Sequence, residues 1–475
     1  MTRPPLPLRP RSAARPLVAA AVVGLLLAGC APDSGATGDD DPAALPDVLL
    51  VVIDTLRGDR TTAVNPGVAT TPRLAAYFEG GTVFAQAVAP SSWTLPSMAA
   101  LFAGRPVASS RHAAFARLPA LAERFAAAGY ATVGLVANPL ITADNGFARG
   151  FDVLVTAPEY DVATAELADL RAWAGPALVA RATALLADVP DDRPLFLYLH
   201  LMDPHEPYDP ALRYAAPVDE GWSVGPGGLG APVLAWTDEL TLEQGRTIME
   251  VRRGYDGQIL QADLALAGWF DELAAARPRP RLVAVTADHG EGLFDHARNP
   301  DGTPGKPPLP AAYWDHGEQL HEEALRVPLW LAGPGVPAGR REERMVALHD
   351  LGATLLDLAG LEAPHPRLPL GDEQAAPAAV FGTGSRGWFV RTTGHKYVLP
   401  FPERLEHEGV GPRLFALDGV RFAPEQADLS VAEPELAAEL ADLLERWLRQ
   451  HAPAEDGAAV DAATLRRLRK LGYLR

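Results

Sequence analysis

The sequence predicts an α/β protein in which a mostly parallel sheet is sandwiched by helices, followed by a small C-terminal α+β subdomain. Three observations carry this. Apolar runs at residues 48–53, 195–199 and 282–287, the first and last rich in β-branched residues, have the length of buried strands and alternate with segments of helical spacing, the pattern of parallel α/β sheets. At 475 residues and 48% hydrophobic, the chain can bury a large core. After about Pro364 the texture changes to short strands separated by turn residues. No repeat of 20–50 residues is visible, which excludes a solenoid or a propeller.

The N-terminal region reads as a targeting segment. Arg3, Arg9, Arg11 and Arg15 precede an apolar stretch at 17–28, which is shorter than the roughly 20 residues a spanning helix needs. Leu27-Ala28-Gly29-Cys30 then resembles a bacterial lipobox, and Cys30 is the only cysteine of the chain. No internal disulfide or Cys-rich metal site can form. The reading is a lipoprotein signal peptide over 1–29 and a lipid-modified Cys30. A flexible linker rich in Gly, Asp, Pro and Ala follows over 30–46. An ordinary signal peptide is the alternative. Lipid anchoring places the protein in the cell envelope; Ala31 rather than Asp after the cysteine favours the outer membrane or the cell surface, and the periplasm-facing side of either membrane is the alternative.

The remaining elements follow in order. Residues 47–53 form the first buried strand and end at Asp54. A helix at 118–128 is stopped by Gly129, and 131–137 is a strand. Residues 164–189 are helical with a break or kink at Gly175-Pro176. The strand 195–199 ends at His200. Thr241-Leu242-Glu243-Gln244 has capping-box spacing and opens an interrupted helix that runs to Pro278. The strand 282–287 runs into Asp288. Residues 327–331 form one more strand and 348–358 a helix. The Gly/Pro-rich stretches 221–232 and 300–310 read as long loops. Short strands at 379–382, 388–391 and 396–399, and an amphipathic helix at 433–451, make up the subdomain. The domains are therefore 47–364 and 365–475.

The formal net charge of −18 argues against a nucleic-acid partner, because no basic run offsets it. It also disfavours long-range attraction of an anionic substrate. An anion site here needs a local cation such as a metal.

Asp54 and Asp288 both sit at the ends of buried strands, where open α/β sheets place their sites. If those strands are neighbours, the two carboxylates need a cation between them, and His289 completes an Asp-Asp-His shell with an open position. Gly290 allows the tight turn that follows. Ser91-Ser92-Trp93-Thr94-Leu95-Pro96 places Thr94 just before a short helix that Gly104 ends. The threonine reads either as a helix cap or as a nucleophile whose pKa a metal lowers. His200, His205, His289, His296 and His316 all fall in strand-end loops.

These segments together resemble the sulfatase family of the alkaline-phosphatase superfamily. The carriers are Val51-Val52-Ile53-Asp54-Thr55-Leu56-Arg57-Gly58-Asp59, Thr71-Pro72-Arg73-Leu74, Gly80-Gly81-Thr82-Val83-Phe84 and Gly129-Tyr130-Ala131-Thr132. Gly150-Phe151-Asp152, Thr286-Ala287-Asp288-His289-Gly290-Glu291, His316-Gly317 and Val327-Pro328-Leu329 follow in family order. Leu471-Gly472-Tyr473-Leu474 resembles the ending of a bacterial branch.

The resemblance implies an alkaline-phosphatase-like fold and a metal held by Asp54, Asp288 and His289, with Thr94 completing the shell as nucleophile. It implies that His200, His205, His316 and Lys396 contact the ester oxygens or protonate the leaving group. Sulfatases convert a Cys or Ser in a Cys/Ser-x-Pro-x-Arg motif to formylglycine. Here Thr94, Pro96 and Met98 occupy that motif, so no formylglycine is expected. A threonine with an Asp/His shell is typical of relatives that act on phosphodiesters with zinc or manganese. Zinc or manganese is therefore favoured, with calcium the alternative. The expected function is hydrolysis of a sulfuric, phosphoric or phosphonic ester, the substrate an anionic glycan or lipid head group. The alternatives are a phosphoryl transferase or phosphodiesterase, and a catalytically inactive envelope binding protein.

Overall fold

The computed structural model describes residues 45–107, 120–158, 171–209, 242–296, 314–364, 366–401, 410–417, 425 and 427–451. Cys30 and its lipobox, the linker up to Ala44, residues 164–170, Thr241 and the tail after His451 lie outside the described residues. So do both long-loop stretches, 221–232 and 300–310. No helix among the described residues is long and apolar enough to cross a membrane.

In chain order the strands are β1 (Asp47–Ile53), β2 (Thr82–Val88), β3 (Ala131–Val136), β4 (Val153–Thr156), β5 (Leu195–Leu201), β6 (Arg281–Thr286), β7 (Gly292–Leu293) and β8 (Trp314–Asp315). β9 (Arg326–Ala332), β10 (Arg340–Ala347), β11 (Val380–Thr383), β12 (Gly387–Arg391), β13 (His395–Pro400) and β14 (Arg413–Ala416) complete the set. Eight of them form one sheet in the order β10-β2-β9-β6-β1-β5-β3-β4. All run parallel except β9, which pairs antiparallel with both β2 and β6. β1 lies in the interior of the sheet between β5 and β6, and every one of its residues is buried. Each of its large aliphatic side chains contributes roughly 1.5–3 kcal/mol by leaving water.

The chain order β1, β5, β6 with helical crossovers leaves the carboxyl ends of neighbouring parallel strands along one edge. That geometry positions the site. The sheet is framed by two long segments. Helix Gly175–Leu186 begins at the Gly-Pro pair, with Pro176 in its first turn, where a missing N–H costs nothing. The expected break or kink is thus a break, with a new helix starting at Gly175. Helix Leu242–Ala276 runs 35 residues without interruption. Its Tyr255 hydroxyl donates to Thr55 O at 2.7 Å and accepts from Arg57 N at 2.9 Å. Asp256 holds the buried Arg60 through two contacts of 3.0 and 2.5 Å. The loop leaving β1 is thus locked to the longest helix.

The second sheet is antiparallel, in the order β11-β12-β13-β14. Helix Pro434–His451 lays Leu440, Leu444 and Trp447 against Val390, Tyr397 and Leu414 of this sheet. A parallel bridge from Ser91 to Thr383 joins the small sheet to the loop before Thr94. Five strands escape the sequence reading: β4, the two-residue β7 and β8, β10 and β14. β10 opens with Arg340, Arg341, Glu342, Glu343 and Arg344, and lies at the sheet edge, where such charges are tolerated. β14 is a four-residue edge strand.

Candidate metal centre

The site begins with strand register. Val52 of β1 pairs with Thr286 of β6. Asp54 and Asp288 each lie two residues further on, so the two carboxylates leave neighbouring strands side by side, and neither is exposed.

Each carboxylate has one oxygen held and one left over. Asp54 Oδ2 accepts from Asn138 Nδ2 at 2.5 Å and lies 3.1 Å from His200 Nε2. Asp288 Oδ1 accepts from Thr55 N at 3.3 Å and from His289 N at 2.9 Å. Asp54 Oδ1 and Asp288 Oδ2 are buried without a hydrogen-bond partner. Burial alone raises the Asp54 carboxyl, but the His200 hydrogen bond and the charges of His205, His200 and His289 hold it well below the usual range.

His289 supplies the third donor. Its Nδ1 lies 2.9 Å from Gly290 O. A carbonyl can only accept, so Nδ1 carries a proton, and in the neutral ring Nε2 carries the lone pair. That Nε2 is 3.3 Å from Asp288 Oδ2 and 3.9 Å from Asp54 Oδ1. Ligand atoms of the three residues lie within 4.8 Å of one another. Two buried carboxylate oxygens without partners and an imidazole lone pair are costly without a cation, and they fit a divalent metal ion.

Thr94 Oγ1 lies 3.3 Å from His289 Nε2 and accepts from Asn138 Nδ2 at 3.3 Å. It belongs to the first residue of helix Thr94–Ala103, rather than preceding it, and the helix ends at Gly104 with φ 64°. The positive end of the helix dipole favours an anionic oxygen there. Ser97 Oγ donates to Asp288 O at 2.6 Å, which ties this helix to the end of β6. Thr55 adopts φ 54°, a left-handed conformation that a β-branched residue rarely takes. Its N–H bond to Asp288 and the Tyr255 bond to its carbonyl hold it there.

His205 and His316 stand beside this shell. The His316 ring lies 4.5 Å from that of His289 and 4.9 Å from that of His205, between centroids. His316 Nδ1 is 3.2 Å from Glu291 Oε1. Burial, with the Asp315 charge added, pushes the Glu291 carboxyl up to about 8.

The other expected residues are placed differently. His200 uses Nδ1 on the Tyr198 hydroxyl at 2.6 Å and Nε2 on Asp54, so both ring nitrogens position Asp54 instead of facing an ester. Lys396 is buried and ion-paired to Glu322 at 3.2 Å and to Glu425, in a second cluster that draws its ammonium away from the role the resemblance implies. Asn138, which bridges Asp54 and Thr94, is missing from the sequence reading. Its signal was there: Asn138-Pro139 follows β3 as Asp54 follows β1.

A family model described as Sulfatase matches residues 46–361. Arylsulfatase K of Rattus norvegicus is 24% identical over 160 residues, covering 33% of this chain and 25% of that protein. Arylsulfatase K of Homo sapiens is 29% identical over 97 residues, covering 19% and 15%. The matches thus span a quarter or less of the length of these curated relatives. Among solved structures, the phosphonate monoester hydrolase of Agrobacterium radiobacter superposes with a TM-score of 0.59 at 20% identity, covering 86% of this chain and 96% of that one. A 2-O GAG sulfatase gives 0.59 at 18%, covering 89% and 96%. A structure in complex with its substrate D-glucosamine-2-N,6-O-disulfate gives 0.60 at 15%, covering 88% and 100%. The paired carboxylates at two strand ends, the alkaline-phosphatase-like sheet and a family match over more than half of the 475 residues lead to one assignment: the chain belongs to the sulfatase family.

Proposed function

We propose that this protein is a metal-dependent ester hydrolase in which Thr94 is the nucleophile. The observation that carries the reading is Thr94 Oγ1 at 3.3 Å from His289 Nε2, in a buried shell where Asp54 Oδ1 and Asp288 Oδ2 lack partners. Asp54, Asp288 and His289 hold the cation, and Thr94 completes the shell. When bound, the metal lowers the hydroxyl pKa and offsets charge on the ester oxygens. Asn138 fixes both Asp54 and Thr94. Thr94 Oγ1, its proton released to solvent as its pKa falls, forms a bond to sulfur or phosphorus as the bond to the leaving oxygen breaks. His316, backed by Glu291, and His205 protonate that oxygen. Water then cleaves the threonyl ester.

The substrate is an anionic ester, a glycan or lipid head group in the cell envelope, with Cys30 as the lipid attachment point. Family membership favours a sulfuric ester. A threonine opposite a histidine ligand favours the second reading, hydrolysis or transfer of a phosphoric or phosphonic ester, and the likeness to a phosphonate monoester hydrolase is consistent with it. Purified protein loaded with zinc or manganese is assayed on aryl sulfate, aryl phosphonate and bis-aryl phosphate. Turnover of at least one, lost by a factor of about 10³ or more in Thr94→Ala, is expected. Turnover that survives Thr94→Ala rules out the threonine mechanism.

A further inference from the structure

A second group of buried donors lies away from Thr94. His296 follows the Asp288-bearing loop, His321 and Glu323 flank the start of helix Glu322–Leu325, and Glu425 comes from the C-terminal region. His296 Nε2 is 3.1 Å from Glu323 Oε1 and 3.7 Å from Glu425 Oε2. His321 Nδ1 is 3.3 Å from the same Glu425 oxygen. A tetrahedral shell with ligand bonds of 2.0–2.1 Å has donor–donor edges of about 3.3 Å, close to these separations.

Hydrogen bonding leaves the group incomplete. His321 is 3% exposed; its Nδ1 faces Glu425, and its Nε2 has no hydrogen-bond partner. A buried imidazole nitrogen left unpaired is rare in native proteins and points to a bound ion or water. The neighbouring cations leave room for such an ion. Arg391 is bound to Glu322 at 2.8 Å, and Lys396 is shared between Glu322 and Glu425, so neither neutralises Glu323. The His296 and His321 rings stack at 3.6 Å with 7° between planes. Coordination in the ring planes turns them apart, with only the 3.3 Å Glu425 contact to hold His321 against that turn.

We propose that His296, His321 and Glu425, with Glu323 beside His296, form a second divalent-cation site of the zinc type, which staples the loop after β6 and the segment before β9 to the C-terminal region. Two imidazoles and a carboxylate are a borderline donor set suited to zinc. Its three donors are all buried and lie away from Thr94, which makes the site structural. It does not rest on the chemistry assigned to Thr94.

The test strips the full chain with chelator, titrates it with zinc alone and measures bound zinc after gel filtration. The expected result is close to two equivalents per chain in the wild type, and one in each of His321→Leu and Asp288→Asn. The zinc-induced rise in Tm is expected to shrink in His321→Leu and to persist in Asp288→Asn. If His321→Leu does not fold, Glu425→Gln is read in the same way. A folded Asp288→Asn protein loaded with cobalt(II) is then expected to show tetrahedral absorption bands. The proposal is overturned by one equivalent in the wild type that Asp288→Asn abolishes, or by folded variants of His321 or Glu425 that bind as much zinc as the wild type.

Discussion

Asn138 Nδ2 reaches both Asp54 Oδ2 and Thr94 Oγ1, and His200 reaches Asp54 from the other side. These contacts fix which oxygen of Asp54 remains for a cation. Loss of such support costs about 10–100-fold in metal affinity. Asn138→Ala should weaken zinc or manganese binding by that factor in chelator competition, with the far-UV spectrum unchanged. Unchanged affinity would remove Asn138 from the site. Asp350 makes a different prediction. Burial pushes its carboxyl up to about 7, and its neighbour His349 is held down to about 4 by the same burial, so it stays neutral at pH 7. A carboxyl raised on folding adds stability at pH below its unfolded value of 3.8, and that stability is lost as pH rises through about 7. The loss is on the order of 4 kcal/mol by linkage. Between pH 4 and 8 the urea stability of the wild type should fall relative to that of Asp350→Asn by about that amount, since the opposite contribution of the depressed His349 is common to both proteins. An equal slope in both proteins contradicts the assignment.

The loop after β6 shows how tightly the site is built. A Cβ on Gly290 would stand 1.9 Å from Glu323 O, a backbone atom that cannot swing aside, and Gly290 N donates to Ala324 O at 2.8 Å. Gly290→Ala should displace the adjacent His289 and cost more than about 2 kcal/mol, a loss of the size that backbone overpacking produces. Calorimetry with and without added zinc checks it, and wild-type stability would contradict it. The same scale shows what was legible in the sequence. Strands β1, β5 and β6 announce themselves because both faces are buried and the runs are continuously apolar. Their adjacency is a long-range property, so the pairing of Asp54 with Asp288 could only be a condition until the register was seen. The reversal of β9 leaves no trace in a run that reads the same in either direction. β10 hides because an edge strand can carry charge.

At the scale of the whole molecule, residue types at strand ends singled out Asp54, Asp288, His289 and Thr94, which the fold brings together. The resemblance assigned Lys396 to the ester, whereas its ammonium pairs with Glu322 and with Glu425, a partner distant in sequence with no motif of its own. The position of Cys30 predicts that the full chain partitions with membranes when expressed in a bacterium. Cys30→Ser should move it to the soluble fraction on carbonate extraction, and equal partitioning would refute the anchor. The central claim is that Thr94 becomes covalently linked to the transferred group. Acid quench during turnover of an activated ester, followed by peptide mass mapping, tests it most directly. The account predicts a sulfated or phosphorylated Thr94 peptide in the metal-loaded protein and none in Thr94→Ala. Rapid turnover with no adduct on that peptide, at quench times short enough to trap one, would contradict it.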